Sequence, residues 1–401
     1  MASHNSVKIL EVCPVTPLPS SLDSATTTSL PLTFFDIIWL RFPPVQRVFF
    51  YETSHTNTPI LDSILPKLKH SLSLTLQYFL PLAGTLIWPQ DSRKPIINYK
   101  EGDAVSLTVA ESNTNNFYHL SSNNFVEAVE YHPLVPDLAI SHEQAPVLAL
   151  QVTTFSNCGL CIGITTHHAV LDDKSSTMFM KSWAHLCKNA LSSSLVPDLT
   201  PSFDRMVIKD PSRLETIYLN QWLNLDGPHN RSFKAKAEGL RDTKLHLRFS
   251  ADVRPQLEPP IPGNYFGNCL TFYDVVAERN DLLGGKGVAM AAKAISDAIR
   301  SLDDGVLSDA ENRLSLFISL MNDKMADRAI GIAGSPRFEL YNIDFGWGKP
   351  MKVEMISIDR IGAILVSDTR DGAGGIKVGL VLKKHEMKVF ASIYAKGLEV
   401  L

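Results

Sequence analysis

One stretch of this sequence, residues 160–173, changes within a few positions from apolar to strongly polar. Residues 160–166 are apolar and rich in β-branched side chains, a pattern that predicts a buried strand. Ionisable side chains stand directly after it: His167, His168, Asp172 and Asp173. Burying such groups is costly unless they are paired or used. The hydroxyl-rich residues 174–177 then predict the start of a helix. A histidine therefore stands between a strand and a helix, where functional groups are common.

The residues alone leave two interpretations of the histidines open. Adjacent strand residues face opposite ways, so only one of His167 and His168 can face a given cleft. His168 and Asp172 form the pattern His-x-x-x-Asp. In one interpretation His168 is a general base that takes a proton from a hydroxyl, while Asp172 orients it or braces the loop. In the other, the two histidines are hydrogen-bonded core residues. No third ligand stands at a suitable spacing, so we expect no metal site.

Length, charge and cysteine content narrow the class of protein. A chain of 401 residues exceeds one ordinary core, which predicts two domains. The 45% hydrophobic and 20% charged residues are typical of a soluble globular protein. With 38 basic and 42 acidic side chains, the net charge of −4 predicts no nucleic-acid or membrane partner. We see no spanning run and no signal peptide, and the five cysteines are scattered, which predicts a cytoplasmic location.

The rest of the chain alternates between strand and helix patterns, which predicts a mixed α/β (α+β) fold. Strands are expected at 7–15, 47–51, 96–99, 105–109, 147–155, 160–166, 244–249, 270–276, 338–341, 353–358, 362–366 and 376–382. Helices are expected at 60–79, 174–190, 214–225, 288–302 and 384–394, and a loop at 111–124. The predicted divisions are an N-terminal domain over 1–200, a crossover linker over 201–243 and a C-terminal domain over 244–401.

A second motif, Asp344-Phe345-Gly346-Trp347-Gly348, follows the strand expected at 338–341. Two glycines around a tryptophan indicate tight backbone packing and a fixed turn. Asp344 is either catalytic or anchors the turn by accepting hydrogen bonds from backbone amides. The anchoring role is favoured, because aspartate side chains commonly bond the backbone in turns.

Both motifs, together with Tyr-Phe-Leu-Pro-Leu-Ala-Gly at 78–84, resemble those of the plant BAHD acyltransferases. The resemblance runs through nearly the whole chain. Tyr-Phe-Gly-Asn-Cys at 265–269 resembles the branch that acylates flavonoid glycosides, especially the anthocyanin and isoflavone glucoside malonyltransferases. The resemblance implies two chloramphenicol-acetyltransferase-like domains with a channel between them. Acyl-CoA enters this channel from one face, and the acceptor enters from the other.

The resemblance also implies roles for single residues. His168 would deprotonate a sugar hydroxyl, with Asp344 also labelled catalytic. Structural support would come from Asp172 paired with Arg254, and from Gly346, Trp347 and Gly348. A malonyl group carries a free carboxylate, and Arg47 is the candidate cation that would bind it. The expected partners are small molecules only, malonyl-CoA and a phenolic glucoside. We expect no permanently bound cofactor and a monomeric protein.

Two departures from the family pattern keep alternatives open. Asp173 stands where the family usually has glycine. Between residues 240–242 and 244–246 the family carries a further strand, helices and a loop that line part of the CoA channel, and these are missing here. The alternatives are a catalytically impaired member with an incomplete channel wall, and an enzyme that uses another donor, such as acetyl-CoA or hydroxycinnamoyl-CoA.

Overall fold

A computed structural model of the protein describes residues 7–19, 27–53, 60–88, 94–114, 116–139, 144–189, 194–224, 244–300, 305–322, 329–372 and 374–399. The strands are β1 (Val7–Val15), β2 (Thr28–Pro31), β3 (Val45–Glu52), β4 (Thr85–Ile87), β5 (Ile96–Tyr99), β6 (Val105–Ser112), β7 (Gln144–Pro146), β8 (Leu148–Phe155), β9 (Gly159–Thr166), β10 (Lys244–Asp252), β11 (Leu270–Glu278), β12 (Ala329–Ala333), β13 (Lys352–Met355), β14 (Ala363–Asp368) and β15 (Ile376–Gly379). The helices are α1 (Phe34–Ile37), α2 (Ile60–Ser63), α3 (Leu65–Tyr78), α4 (Leu80–Ala83), α5 (Phe117–Ser121), α6 (Asp173–Lys188), α7 (Leu214–Leu223), α8 (Arg279–Leu283), α9 (Gly287–Arg300), α10 (Ala310–Asn322), α11 (Ile358–Ile361) and α12 (Lys384–Glu399). The fold is mixed α/β, as predicted.

The largest sheet has six strands in the order β1-β6-β8-β9-β3-β13. Strands β8 and β9, both predicted as strands, form an antiparallel hairpin in the interior of this sheet, and every residue of both is buried. Their nearly continuous apolar character explains this, because a strand covered on both faces needs apolar residues at every position. The edge strand β13 comes from the C-terminal part of the chain and pairs antiparallel with β3.

A five-stranded sheet with the order β11-β10-β12-β14-β15 organises the C-terminal part of the chain, and β2-β5-β4-β7 form a third sheet in the N-terminal part. Strand β10 pairs antiparallel with β11 and parallel with β12. The outer surface of the C-terminal part exposes large apolar side chains: Val288, Ile376, Val378, Val389 and Ile393.

Helix α6 fixes the position of the loop before it by packing against α3. The indole nitrogen of Trp183 on α6 donates to the Leu68 carbonyl at 3.2 Å and to the Ser71 hydroxyl at 3.1 Å, both on α3. Trp183 and Phe179 are fully buried. Eleven of the 16 residues of α6 are buried, including all six from Ser175 to Met180, so the helix is enclosed around most of its circumference.

Two elements cross the predicted domain divisions. Helix α7 lies within the predicted linker 201–243, yet the indole nitrogen of Trp222 on α7 donates to the Ile37 carbonyl at 2.7 Å. Strand β13 lies within the predicted C-terminal domain but belongs to the six-stranded sheet. Helix α7 is therefore packed against the N-terminal part of the chain, and residues 225–243 lie outside the described residues. The threefold division itself stays a prediction.

Some expected elements were wrong. The expected loop at 111–124 contains α5, and the expected strand at 338–341 is instead two 3-10 turns, Pro336–Phe338 and Leu340–Asn342. Glu339 between the turns has a φ of +52°, a left-handed conformation that a regular strand does not contain. The sequence also gave no warning of α10 and β12, because their patterns are short or irregular.

None of the helices in the described ranges combines the length and apolar character needed to cross a lipid bilayer. In the same ranges, no three side chains among His, Cys, Asp and Glu come together as a metal site.

The tight centre of the six-stranded sheet predicts a large effect for one added methyl group. In Gly163→Ala, on β9, the new Cβ would stand 2.1 Å from the Leu134 carbonyl oxygen, so the backbone must shift. We expect a loss of about 1–3 kcal/mol in the free energy of unfolding, measured by urea denaturation. The control is Gly285→Ala, whose Cβ would meet nothing within 4 Å. Equal midpoints for the two variants would contradict the packing described here.

Candidate active site

His168 lies in the turn between β9 and α6, as predicted. Strand β9 ends at Thr166 and α6 begins at Asp173. The backbone carbonyl of His168 accepts a hydrogen bond from the side-chain amide of Asn268 at 3.0 Å. The residue as a whole is half-buried. The turn is thus held by a residue one hundred positions further along the chain.

Aromatic rings fix the orientation of the His168 imidazole. The indole of Trp39 stacks on it with ring centroids 4.2 Å apart and planes at 2°. Phe42 meets the imidazole edge-on at 5.7 Å, and Phe272 of β11 meets Trp39 edge-on at 5.7 Å. Aromatic pairs of this kind contribute about 0.5–1.5 kcal/mol beyond their buried area. The stacking therefore restricts rotation of the imidazole.

The two ring nitrogens of His168 have different surroundings. Nδ1 is buried and bonds no other residue in the described part of the chain, which leaves Nε2 for a ligand. Burial lowers the pKa of His168, although its own backbone and the charges of Asp173 and Asp172 act in the opposite direction. The imidazole is consequently neutral at neutral pH, and a neutral imidazole can accept a proton.

His167 is the buried member of the histidine pair. Its Nδ1 accepts a hydrogen bond from the Ala169 amide at 3.2 Å. Burial, followed by the neighbouring His168, lowers the pKa of His167 to about 4. His167 is therefore a core residue, whereas the role of His168 as a general base stays a prediction.

Asp172 caps helix α6 and forms the ion pair with Arg254 that the resemblance implied. One carboxylate oxygen accepts from the Ser175 amide at 2.9 Å. The other accepts from Nη2 of Arg254 at 2.8 Å and from the Cys269 amide at 3.2 Å. Both charged side chains are only 1% exposed. Burial lowers the pKa of Arg254, but the carboxylates of Asp172 and Asp252 outweigh it and raise the pKa, so the guanidinium stays charged.

The segment 265–269 closes the site from the C-terminal side of the chain. The backbone amide and the side-chain amide of Asn268 donate to the same carboxylate oxygen of Asp36, at 2.9 Å and 3.1 Å. Asp36 is fully buried on α1. Asn268 thus joins α1 to the His168 turn, and the motif that resembles the flavonoid branch has a clear structural role.

Arg47, the candidate cation for a malonyl group, already has a carboxylate partner. It lies on β3, opposite Ile164 of β9 in the strand register. Its Nη2 is 2.9 Å from a carboxylate oxygen of Asp173, with 4% of the Arg47 side chain and 19% of the Asp173 side chain exposed. The residue that departs from the family pattern is therefore the one that binds Arg47.

Asp344 anchors a turn. Its half-buried carboxylate accepts from the amides of Gly346 and Gly348, at 2.8 Å and 2.9 Å, and from Nζ of Lys188 at 2.6 Å. Both glycines have positive φ, +110° and +107°, where a side chain would be strained. Burial raises the pKa of Asp344, but Lys188 and the two amides outweigh it and hold the pKa below its usual value.

The aromatic residues of the same motif fasten it to helix α6. Trp347 stacks on Phe345 with centroids 5.6 Å apart and planes at 12°. Phe345 in turn meets Trp183 edge-on at 5.0 Å. The motif therefore fixes the chain on α6 just before β13 enters the six-stranded sheet.

Sequence reasoning missed three residues that hold the His168 turn. They are Asp36, Trp39 and Asn268. The apolar and aromatic run at 32–40 was visible, but nothing in it pointed to His168. A buried aspartate inside such a run is the one available signal, because a buried charge needs a partner.

The Asp172–Arg254 pair predicts a strong effect on stability. In Asp172→Ala, the Arg254 charge stays buried without its closest partner and α6 loses its cap. We expect a loss of about 3–5 kcal/mol in the free energy of unfolding, measured by urea denaturation. The matched control is Asp252→Ala, which removes the other, 31% exposed carboxylate from the same guanidinium. A loss no larger than that of the control would show that the buried pair is unimportant.

His167 predicts a dependence of stability on pH. Its pKa is about 4 in the folded protein and about 6.5 in an unfolded chain, so the unfolded state binds the proton more readily. The contribution of the neutral ring is complete above pH 6.5 and is lost as the pH falls toward 4, by about 3 kcal/mol. Urea denaturation between pH 7 and pH 5 measures the first part of this loss, about 2 kcal/mol. We expect a smaller pH dependence in His167→Asn and an unchanged one in the exposed control His70→Asn. Identical slopes in all three proteins would contradict the assignment.

Comparison with known proteins agrees with this geometry. The model of the Transferase family matches residues 15–224 and 230–395. The chain is 38% identical to malonyl-CoA:anthocyanidin 5-O-glucoside-6''-O-malonyltransferase of Arabidopsis thaliana, over 100% of both chains. It is 36% identical to phenolic glucoside malonyltransferase 1 of the same plant, over 99% of this chain and 98% of the relative.

The first of these alignments also bears on the predicted shortening. It extends over 461 positions and includes all of this 401-residue chain, so at least 60 positions have no residue from this chain. The expected site of the loss, between residues 240 and 246, lies largely outside the described residues.

Among solved structures, vinorine synthase matches with a TM-score of 0.71 and 18% identity, over 96% of both chains, and so has the same fold. The chain belongs to the Transferase family, the BAHD acyltransferases.

Proposed function

We propose that this protein transfers an acyl group from acyl-CoA, with malonyl-CoA as the first candidate donor, to a sugar hydroxyl of a flavonoid or other phenolic glucoside. The observation that carries the proposal is the His168 ring. It is fixed by stacking, neutral at neutral pH, and has Nε2 available to a ligand. The full-length relatives named as glucoside malonyltransferases support the choice of donor and acceptor.

In the proposed mechanism, Nε2 of His168 accepts the proton of the sugar hydroxyl as its oxygen attacks the thioester carbonyl of acyl-CoA. A tetrahedral oxyanion forms and then collapses, which releases CoA as the thiolate. His168 returns the proton to the sulfur, so the base is regenerated in each turnover. The positive charge that His168 gains in the first step is favoured by the carboxylates of Asp173 and Asp172. CoA is a co-substrate here, and no covalent acyl-enzyme is required.

The other site residues have supporting roles in this proposal. Asp172 and Arg254 hold the loop that carries His168, since their pair lies at the start of α6. Asp344 anchors the turn that Gly346 and Gly348 complete, and this arrangement supports a structural role over a catalytic one. The predicted cytoplasmic location and monomeric state stay predictions.

Arg47 is the proposed contact for the free carboxylate of a malonyl group. A guanidinium binds carboxylates through charge-assisted hydrogen bonds, and Arg47 is buried on the strand next to β9. Its present partner, Asp173, gives specific support to the alternative that the donor carries a neutral acyl group.

An impaired enzyme is the second candidate, and two observations favour it. At least 60 positions of a full-length relative have no counterpart in this chain. The C-terminal part also exposes apolar side chains on α9, β15 and α12, as expected where a covering layer is reduced. Isothermal titration with malonyl-CoA and CoA separates the two candidates. No detectable binding by the folded protein would favour the impaired form.

The proposed chemistry is tested by His168→Ala with malonyl-CoA and a mixture of flavonoid glucosides, with products identified by mass spectrometry. Loss of the base is expected to reduce kcat at least a hundredfold while the thermal unfolding temperature stays close to that of the wild type. The control is His70→Ala, an exposed histidine on α3. A His168→Ala rate within tenfold of the wild type would exclude His168 as the base, and wild-type protein that acylates no glucoside with any acyl-CoA would overturn the proposed function.

A further inference from the structure

Asp173 is the first residue of α6 and stands five positions after His168. Its side chain leaves the helix toward Arg47 on β3, and the two charged groups meet at 2.9 Å. Within the described part of the chain, Asp173 is the one carboxylate paired with Arg47. The pair therefore joins the strand beside β9 to the helix that follows the proposed base.

Burial makes this pair more consequential than a surface ion pair. Exposed pairs contribute about 0–1 kcal/mol, whereas a buried charge that loses its partner costs several kcal/mol. The Arg47 side chain is 4% exposed and that of Asp173 is 19% exposed. Arg47 therefore requires an anion, and Asp173 is the more accessible of the two groups.

The pair lies at the end of the sheet that carries His168, because Arg47 stands opposite Ile164 on β9 and Asp173 begins the helix that follows the His168 turn. In a malonyl thioester, the free carboxylate is separated from the reacting carbonyl carbon by a single CH₂ group. A malonyl carboxylate that reaches Arg47 from a thioester at His168 meets the carboxylate of Asp173 there. Two carboxylates on one guanidinium repel each other unless a proton is taken up or one leaves.

We propose that Asp173 acts as an internal competitor for the carboxylate of the acyl donor, so that it occupies Arg47 and shifts the choice of donor toward neutral acyl groups. This inference rests on the proposed function, because it takes Arg47 to be the contact for the acyl group. Asp173 is thus a specificity-determining residue. Removing its charge makes Arg47 available to malonyl-CoA and has little effect on the binding of acetyl-CoA.

The test compares malonyl-CoA with acetyl-CoA binding by isothermal titration in the wild type and in Asp173→Asn. This substitution keeps the size of the side chain and removes its charge. The ratio of the acetyl-CoA Kd to the malonyl-CoA Kd is expected to rise at least tenfold. Asp173→Gly, which removes the whole side chain, should raise the ratio in the same direction.

The matched control is Glu339→Gln, which removes a carboxylate from an ion pair with Lys181 on the same helix. Its ratio should equal that of the wild type. In the double variant Arg47→Gln/Asp173→Asn the Kd ratio should not rise, because the cation that would bind malonyl-CoA is gone. A thermal unfolding assay supplies a second measurement. Malonyl-CoA should raise the unfolding temperature of Asp173→Asn by more than acetyl-CoA does, because it supplies the missing anion.

A donor ratio that stays within twofold of the wild type in both Asp173 variants would overturn the inference, as would a failure of both variants to bind either donor. The failure of the proposed function has a different signature, in which donors bind but no glucoside is acylated. A changed ratio without product would therefore leave the inference standing and overturn the proposed function alone.

Discussion

The buried ion pair between Asp172 and Arg254 is the contact on which the arrangement of the site depends. It stands at the start of α6, which places the His168 turn, and it reaches a residue of the C-terminal part of the chain. Arg254 also donates to the carbonyl of Gly267 at 2.8 Å, so the pair aligns the segment that carries Asn268. Each buried charge needs the other as its partner, so the His168 turn and the segment around Arg254 depend on each other for stability.

The elements nearest to the proposed base could be predicted from the sequence because their patterns are local. The hairpin of β8 and β9 has nearly continuous apolar runs, and α6 has a clear helical stripe. The end of the predicted strand and the start of the predicted helix are enough to locate His168 in the turn between them. The pairing of Asp172 with Arg254 could not be obtained in that way and came from the resemblance to a family. Composition carries no information about which residues meet across 82 positions of chain.

Contacts made over long distances in the chain account for most of what sequence reasoning missed. Trp39 and Asn268 reach His168 only after the sheets have assembled, and no local pattern marks either residue. The ion pair of Arg47 with Asp173 has the same origin, since β3 and α6 become neighbours through β9. The wrong prediction of a strand at 338–341 has a different cause. The apolar residues there lie in tight turns, and the spacing of apolar residues in so short a run cannot distinguish a turn from a strand.

The position of β13 has a consequence for how the protein is made. This strand, Lys352–Met355, completes the six-stranded sheet whose other members end at Thr166. A ribosome synthesises the chain from its N-terminus, so β3 has no partner on its β13 side until nearly nine-tenths of the protein has been translated. During that time β3 presents unpaired backbone groups, which are a template for pairing with another chain. Folding in the cell therefore depends on protecting one strand edge until the last part of the polypeptide arrives.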